Sequence, residues 1–123
     1  MSQIRSYREL VAWQKVFELS VAVYRATASF PQCELYGLTS QLRRAAVSVP
    51  GNVAEGQGRA TTGEFVQHLG HARGSLYEVQ TQLLIAQELN YLGGEAGILL
   101  NELSNELARV LNGLIAKLRA QQT

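Results

Sequence analysis

The residues that could carry out metal chemistry in this chain are a pair of histidines. His68 and His71 are three positions apart in a segment with helical periodicity, and Glu64 lies one turn before His68. Imidazoles at that spacing can share a metal ion, and di-iron helical bundles use repeated Glu-x-x-His motifs. The chain lacks that motif, because Gln67 stands three residues after Glu64, and it contains no aspartate. We therefore predict no metal site and no cofactor, and we interpret the histidines as surface or interface residues.

A nucleophilic mechanism has equally little support in the sequence. The single cysteine, Cys33, lies in a predicted loop with Pro31, and no histidine stands near it in the sequence to activate the thiol. The glycine-dense stretch from Gly51 to Gly58 is not followed by Lys-Ser or Lys-Thr, so it is not a phosphate-binding loop. We therefore predict that the protein is not an enzyme and has no small-molecule substrate.

The arginines are the stronger candidates for function. Arg43 and Arg44 are adjacent, so on a helix their side chains project about 100° apart and at least one leaves the core face. Arg59 lies near a helix end, and an up-down bundle would place the N-terminal Arg5 and Arg8 close to it. Two interpretations remain open. These side chains are solvated or paired within the fold, or they form a basic patch that a closed oligomer repeats.

The elements that must position these residues are four segments with the apolar spacing of amphipathic helices. They span about residues 7–29, 37–56, 62–90 and 95–120. Thr61 followed by Glu64 is a capping-box pattern at the start of the third. Because the connections are short, the sequence predicts an all-α protein, an antiparallel up-down-up-down four-helix bundle formed by one domain over residues 1–123.

The apolar spacing also predicts which side chains face the core. The third helix has a stripe with alternating spacings of four and three, as in a coiled coil: Phe65, Leu69, Ala72, Leu76, Val79, Leu83 and Ala86. The fourth has Leu100, Leu103, Leu107, Val110, Leu114 and Leu118. The first helix has two such stripes, one of Leu10, Trp13, Phe17, Val21, Tyr24 and Ala28, the other of Ala12, Val16, Leu19, Val23, Ala26 and Phe30. Either the core face of this helix is wide, or the second stripe is buried against another subunit.

Pro50 interrupts the second predicted helix. Its ring removes one backbone N–H and clashes with the carbonyl group of Ala46, so we expect a kink in the helix there. The side chains of Ser48 and Asn52 are the candidates to bond the freed backbone groups.

The overall charge and composition limit the classes of function. The net charge is +1, whereas a dedicated nucleic-acid-binding protein usually has a strong basic excess, although the segment 36–59 alone has three arginines against one glutamate. No apolar run approaches the roughly 18 residues that span a bilayer. The single cysteine cannot form an internal disulfide, which fits a reducing compartment. We expect a soluble cytoplasmic protein without a membrane partner.

Most of the sequence resembles the 23S rRNA intervening sequence protein family. The similar segments are Leu10–Lys15, Phe30–Pro31, Tyr36–Pro50, Asn52–Arg59 and Ala72–Glu78. The resemblance implies a bacterial four-helix bundle that assembles as a ring-like homopentamer. A similar fold occurs in the accessory variability determinant of diversity-generating retroelements, a pentamer that binds nucleic acid and a reverse transcriptase. No established activity attaches to most members of the family.

From the residues and the resemblance together we expect a non-enzymatic oligomer that binds RNA or a nucleoprotein partner. The candidate nucleic-acid-binding residues are Arg43, Arg44, Arg59, Arg5 and Arg8. The candidate structural residues, which match the family motif, are Pro50, Asn52, Glu55 and Gly56. The alternative is a structural or protein-interaction scaffold with no nucleic-acid role, in which the motif arginines pair internally and hold the second helix against its neighbours.

Overall fold

Four α-helices form the structure, a computed structural model that describes residues 6–122. They are α1 (Val11–Thr27), α2 (Leu38–Gln57), α3 (Thr62–Glu88) and α4 (Gly94–Gln122). Two short 3-10 helices, Tyr7–Glu9 and Gln32–Glu34, precede α1 and α2. The predicted bounds of the second, third and fourth helices lie within two residues of the observed ones. The first helix is shorter than predicted, because its first turn is 3-10.

The helices pack in chain order around one core. Each helix contacts the one that follows it, and α4 closes the arrangement against α1. Within residues 6–122 the diagonal pairs, α1 with α3 and α2 with α4, do not come within 8 Å between Cα atoms. This arrangement is that of an up-down-up-down bundle, and the predicted all-α fold is confirmed. In the same part of the chain, no helix combines the length and the apolar character needed to cross a membrane.

The core-facing stripe of α3 agrees with the prediction, and that of α4 does not. Six of the seven predicted α3 side chains are fully buried, and Phe65 is half-buried. In α4, Leu111 and Ile115 are buried although the predicted stripe omitted them, whereas Val110 and Leu114 are only half-buried. Leucine and other apolar residues occupy two adjacent faces of α4, so spacing alone could not decide which of them meets the other helices.

The two apolar stripes of α1 have different environments. Val16, Leu19 and Val23 of one stripe are fully buried. In the other stripe Phe17 is 47% exposed and Tyr24 is 45% exposed. A single wide core face is therefore the wrong interpretation for these two aromatic residues, and burial against another subunit stays a prediction.

The backbone carbonyl that Pro50 leaves without its usual donor is hydrogen-bonded by a side chain of another helix. The helix α2 continues through Pro50, and the freed carbonyl oxygen of Ala46 accepts a hydrogen bond of 2.6 Å from Ser20 Oγ in α1. The prediction that Ser48 and Asn52 would satisfy the freed groups is wrong. Ser48 Oγ is hydrogen-bonded to Ser75 Oγ at 2.8 Å, and Asn52 Nδ2 donates to the Ser48 carbonyl, which lies elsewhere on the helix. The kink itself stays a prediction.

Gly56 allows α2 and α3 to approach closely near their connection. A Cβ atom at this position would lie 2.7 Å from His68 Cβ and 3.0 Å from Phe65 Cδ1. A Cβ contact of 2.7 Å essentially never occurs in real structures, so a larger residue at position 56 would displace His68 and the part of α3 that carries it. The structural role of Gly56 stays a prediction.

Candidate functional site

The structure separates the predicted arginines into two groups. Arg43 and Arg44 lie in the second turn of α2, and Arg59 lies two residues beyond its end. At a rise of roughly 1.5 Å per residue, Arg44 and Arg59 are about 20 Å apart along the helix axis. Arg8 belongs to the 3-10 helix Tyr7–Glu9, which packs against α2. Arg5 lies outside the described residues. The candidate patch is therefore two sites at most, and Arg43 and Arg44 form the first.

Arg43 connects α2 to α1. Its Nε donates a hydrogen bond of 2.8 Å to Thr27 Oγ1, and its Cζ lies 4.8 Å from the centre of the Tyr24 ring. The Thr27 hydroxyl in turn donates to the carbonyl of Val23 at 2.8 Å. The residue as a whole is half-buried. Its position is thus fixed by a hydrogen bond and a cation–π contact, and its charge is not neutralised by any carboxylate within residues 6–122.

Arg44 projects from the other side of the same turn and is exposed. Like Arg43, it forms no ion pair with any residue that the structure describes. It lies between two grooves. The first, which we call the Tyr36 groove, is lined by Tyr24, Leu35, Tyr36, Thr39, Ser40, Arg43, Arg44 and Val47. This lining contains two guanidinium groups and no carboxylate.

The second groove runs between α2 and α3, and we call it the α2–α3 groove. It is lined by Gln41, Arg44, Ala45, Ser48, Ser75, Glu78 and Gln82, and it continues past Asn52, Gly70, His71 and Gly74. Its side chains are mostly neutral hydrogen-bonding groups, and the hydrogen-bonded pair Ser48 and Ser75 crosses it. Because Glu78 lies opposite Arg44, the local charge of this groove is close to zero. It is therefore a weaker candidate for an anionic ligand than the Tyr36 groove.

The second arginine site is internally paired. Arg59 Nη2 donates a hydrogen bond of 2.6 Å to Glu55 Oε1, one helical turn earlier. The other oxygen of Glu55 is 4.0 Å from His68 Nδ1, which also lies 3.4 Å from Asn52 Oδ1. These polar contacts join the end of α2 to α3 beside Gly56. Arg59 is thus paired within the fold, and its role in binding stays a prediction.

The two histidines of α3 are neighbours in the structure. The rings of His68 and His71 have their centres 6.1 Å apart. Within residues 6–122 no group of three or more histidine, cysteine or acidic side chains is arranged to hold a metal ion. Cys33 is exposed. The candidate surface that remains is formed by Arg43, Arg44 and the tyrosines beside them.

Two long-range polar contacts, which the sequence analysis did not predict, lie away from the arginine surface. Lys15 Nζ donates a hydrogen bond of 2.7 Å to Glu106 Oε1 and connects α1 to α4. This hydrogen bond and the attraction of the charges lower the pKa of Glu106 and raise the pKa of Lys15. Tyr91 donates to Glu34 at 3.0 Å, and that bond raises the pKa of the tyrosine hydroxyl. These contacts connect α1 to α4, and the loop after α3 to the segment before α2.

The tyrosines are the part of the site that helical spacing missed. Tyr36 is 93% exposed, although it is a large aromatic residue. It precedes Gly37 in the loop before α2, where no helical period applies. Tyr24 belongs to a predicted apolar stripe but is half-exposed, with Arg43 over its ring. For Tyr36, the signal in the sequence is that this aromatic residue fits no helical stripe.

These features define a small four-helix-bundle protein with a surface groove lined by arginine and tyrosine. A family model described as 23S rRNA-intervening sequence protein matches residues 8–113, so the chain belongs to that family. Among proteins with curated descriptions, none matches the chain.

A solved structure has the same fold. It is a protein of unknown function from the S23 ribosomal protein family of Bacteroides thetaiotaomicron, with a TM-score of 0.77 and 20% sequence identity. The match covers 85% of this chain and 98% of that one. At this identity the similarity shows the shared bundle.

Proposed function

We propose that this chain is a non-enzymatic, self-associating bundle that binds RNA through Arg43 and Arg44. The observation that carries the proposal is the composition of the Tyr36 groove, where two guanidinium groups meet and no carboxylate takes part. Guanidinium groups bind phosphates by paired, charge-assisted hydrogen bonds. Neutralising a phosphate releases the counterions around it, which makes such a surface favourable for RNA even on a protein of small net charge.

The family description contains the term 23S rRNA, and this is the reason to test RNA before other polyanions. The polar contacts of Arg43 leave its charge unneutralised while they fix its position, so little side-chain entropy is lost when a phosphate binds. Arg44 is exposed and lies next to it. The two side chains can thus contact neighbouring phosphates of one strand.

Self-association is the second part of the proposal. Phe17 is exposed on α1, and an apolar groove between α1 and α4 is lined mainly by Ala22, Ala26, Ala96, Leu99 and Leu103. A ring-like pentamer, as the family resemblance implies, would bury such surface and repeat the arginine site around the ring. Several weak sites that act on one RNA bind far more tightly than one.

RNA binding is tested by replacing Arg44. We expect a fluorescently labelled fragment of total bacterial RNA to bind the purified protein at about 50 mM salt and to dissociate as salt approaches about 200 mM. Arg44→Ala should weaken binding and lower the slope of log Kd against log salt by about one. Arg109→Ala, which removes an exposed arginine of α4, is the matched control. Absence of binding at low salt, or equal effects of the two substitutions, would show that the proposal is wrong.

The scaffold alternative has its own supporting observation, the internal contacts of Arg43 and Arg59. Arg43 bonds Thr27 and packs on Tyr24, and Arg59 pairs with Glu55. If stability is the whole role of these arginines, no RNA binds at any salt concentration and Arg43→Ala only lowers the free energy of unfolding. The binding measurement above separates the two functions.

A further inference from the structure

Tyr36, after which the groove is named, is the most exposed of the large hydrophobic side chains in its lining. Tyr36 is 93% exposed, whereas aromatic residues ordinarily bury most of their area in a core or an interface. It lies between the 3-10 helix Gln32–Glu34 and the first turn of α2, so its backbone is held on both sides. A rigid backbone thus presents an aromatic ring to solvent.

The rest of the groove complements this ring. Tyr24, 45% exposed, also lines the groove, and the guanidinium group of Arg43 lies over its ring. Arg44 lies on the solvent side of the same turn of α2. The groove therefore combines aromatic faces with fixed positive charges and has no carboxylate in its lining.

Aromatic faces beside arginines are suited to unpaired nucleotides. A base that is not paired can stack on an exposed ring while the neighbouring phosphates contact the guanidinium groups. The bases of a duplex already stack on each other, and the wide minor groove of an RNA helix presents hydroxyl groups and base edges rather than base faces. A duplex therefore offers the Tyr36 ring little base surface on which to stack.

We propose that the Tyr36 groove binds single-stranded RNA, with a base stacked on Tyr36 and the adjacent phosphates held by Arg43 and Arg44. This inference rests on the proposed RNA-binding function and specifies the class of RNA. A protein partner is the other occupant that tyrosine and arginine favour. It fits this groove less well, because it would bury two guanidinium groups for which the groove supplies no carboxylate.

The test compares a single-stranded RNA of 12 nucleotides with the same strand annealed to its complement. We expect the single strand to bind more tightly than the duplex, and Tyr36→Ala to weaken its binding about fivefold or more. Tyr36→Phe should retain the affinity, because the ring face and not the hydroxyl makes the contact. The salt slope should be the same for wild type and Tyr36→Ala, since stacking releases no counterions. Tyr77→Ala, which removes a half-exposed tyrosine on α3, is the matched control.

Each outcome distinguishes this inference from the proposed function. If no RNA binds, the proposed function fails. If RNA binds through Arg44 but Tyr36→Ala behaves as Tyr77→Ala does, or if the duplex binds as tightly as the single strand, only this inference fails. If Tyr36→Ala reduces the size of the assembly in light scattering without changing RNA affinity, the groove is a subunit interface and the inference is overturned. Because Tyr36 is exposed, we expect the far-UV circular dichroism and Tm of its variants to match those of the wild type.

Discussion

Arg43 shows how one side chain serves both the fold and the candidate site. Its Nε donates a hydrogen bond to Thr27 and its Cζ lies over the ring of Tyr24, so it links α2 to the end of α1. Arg43 also lines the groove that Arg44 lines. The adjacent Arg44 has no such internal contact. Replacing Arg43 should therefore lower the free energy of unfolding more than replacing Arg44 does.

Replacing Arg43 by alanine should lower the free energy of unfolding. The lost hydrogen bond contributes about 0.5–1.5 kcal/mol and the lost cation–π contact about 0.5–1 kcal/mol, so we expect a decrease of about 1–2 kcal/mol. Urea denaturation followed by circular dichroism measures this change. Arg44→Ala is the control, and its effect should stay within about 0.5 kcal/mol. Equal effects would mean that the contacts of Arg43 do not stabilise the fold.

At the scale of single residues, the sequence predicted the arginines and not their partners. The adjacency of Arg43 and Arg44 was sufficient to place one of them outside the core. The contact of Arg43 with Thr27 depends on how two helices pack, and Lys15 and Glu106 are 91 residues apart. No local spacing encodes such distances, so these contacts could be read only from the assembled bundle.

At the scale of helices, the clearest departure from expectation is the support given to Pro50. A proline inside a helix leaves the carbonyl four residues earlier without its usual donor. Here that carbonyl, at Ala46, is buried and accepts a hydrogen bond from Ser20 of the neighbouring helix. The proline alone predicts that this carbonyl needs another donor, but local spacing favours Ser48 and Asn52. The true donor lies 26 residues before Ala46, where only the packing of α1 on α2 brings it close.

A double-mutant cycle tests the role of Ser20. Ser20→Ala should destabilise the protein by about 1–3 kcal/mol, because the Ala46 carbonyl is then buried without a partner. In the Pro50→Ala background the same substitution should cost markedly less, since an alanine at position 50 supplies a backbone N–H to Ala46. Thermal or urea unfolding of the four proteins gives the coupling energy. A Ser20→Ala cost that is the same in both backgrounds would show that the hydroxyl does not compensate for the proline.

Helix spacing predicted some core faces better than others for a physical reason. In α3 the predicted stripe keeps an unbroken alternation of four and three, and Leu69, Leu76 and Leu83 are all buried as expected, although Leu84 and Ile85 of the same helix are exposed. In α4 the apolar residues cover two adjacent faces, and the predicted one is only partly the core face. The choice between them is made by contacts with α1 and α3. The bundle was therefore predictable from sequence, and the orientation of its last helix was not.

At the scale of the whole molecule, the exposed apolar side chains and the small net charge both favour association between copies of the chain. Large apolar residues remain exposed on all four helices, among them Phe17 on α1 and Leu99 on α4. The groove between α1 and α4 is nearly free of polar groups apart from Arg25. Contiguous apolar surface on a small protein commonly marks an interface. A net charge of +1 produces little repulsion between copies, so association is not opposed electrostatically.

Disrupting the groove between α1 and α4 should therefore dissociate the proposed oligomer. It should weaken the binding of long RNA and leave the binding of short RNA unchanged. We expect Leu99→Glu to reduce the mass measured by multi-angle light scattering toward the 13.5 kDa of one chain. Because each subunit keeps its own Arg43 and Arg44, affinity for a 12-nucleotide RNA should stay unchanged. Affinity for RNA of several hundred nucleotides should fall by about tenfold or more, since linked sites no longer act together. Leu84→Glu alters an equally exposed leucine on α3 and is the control. A wild-type protein that is already monomeric, or a Leu84→Glu variant that dissociates as readily, would contradict the assignment of this groove as the interface.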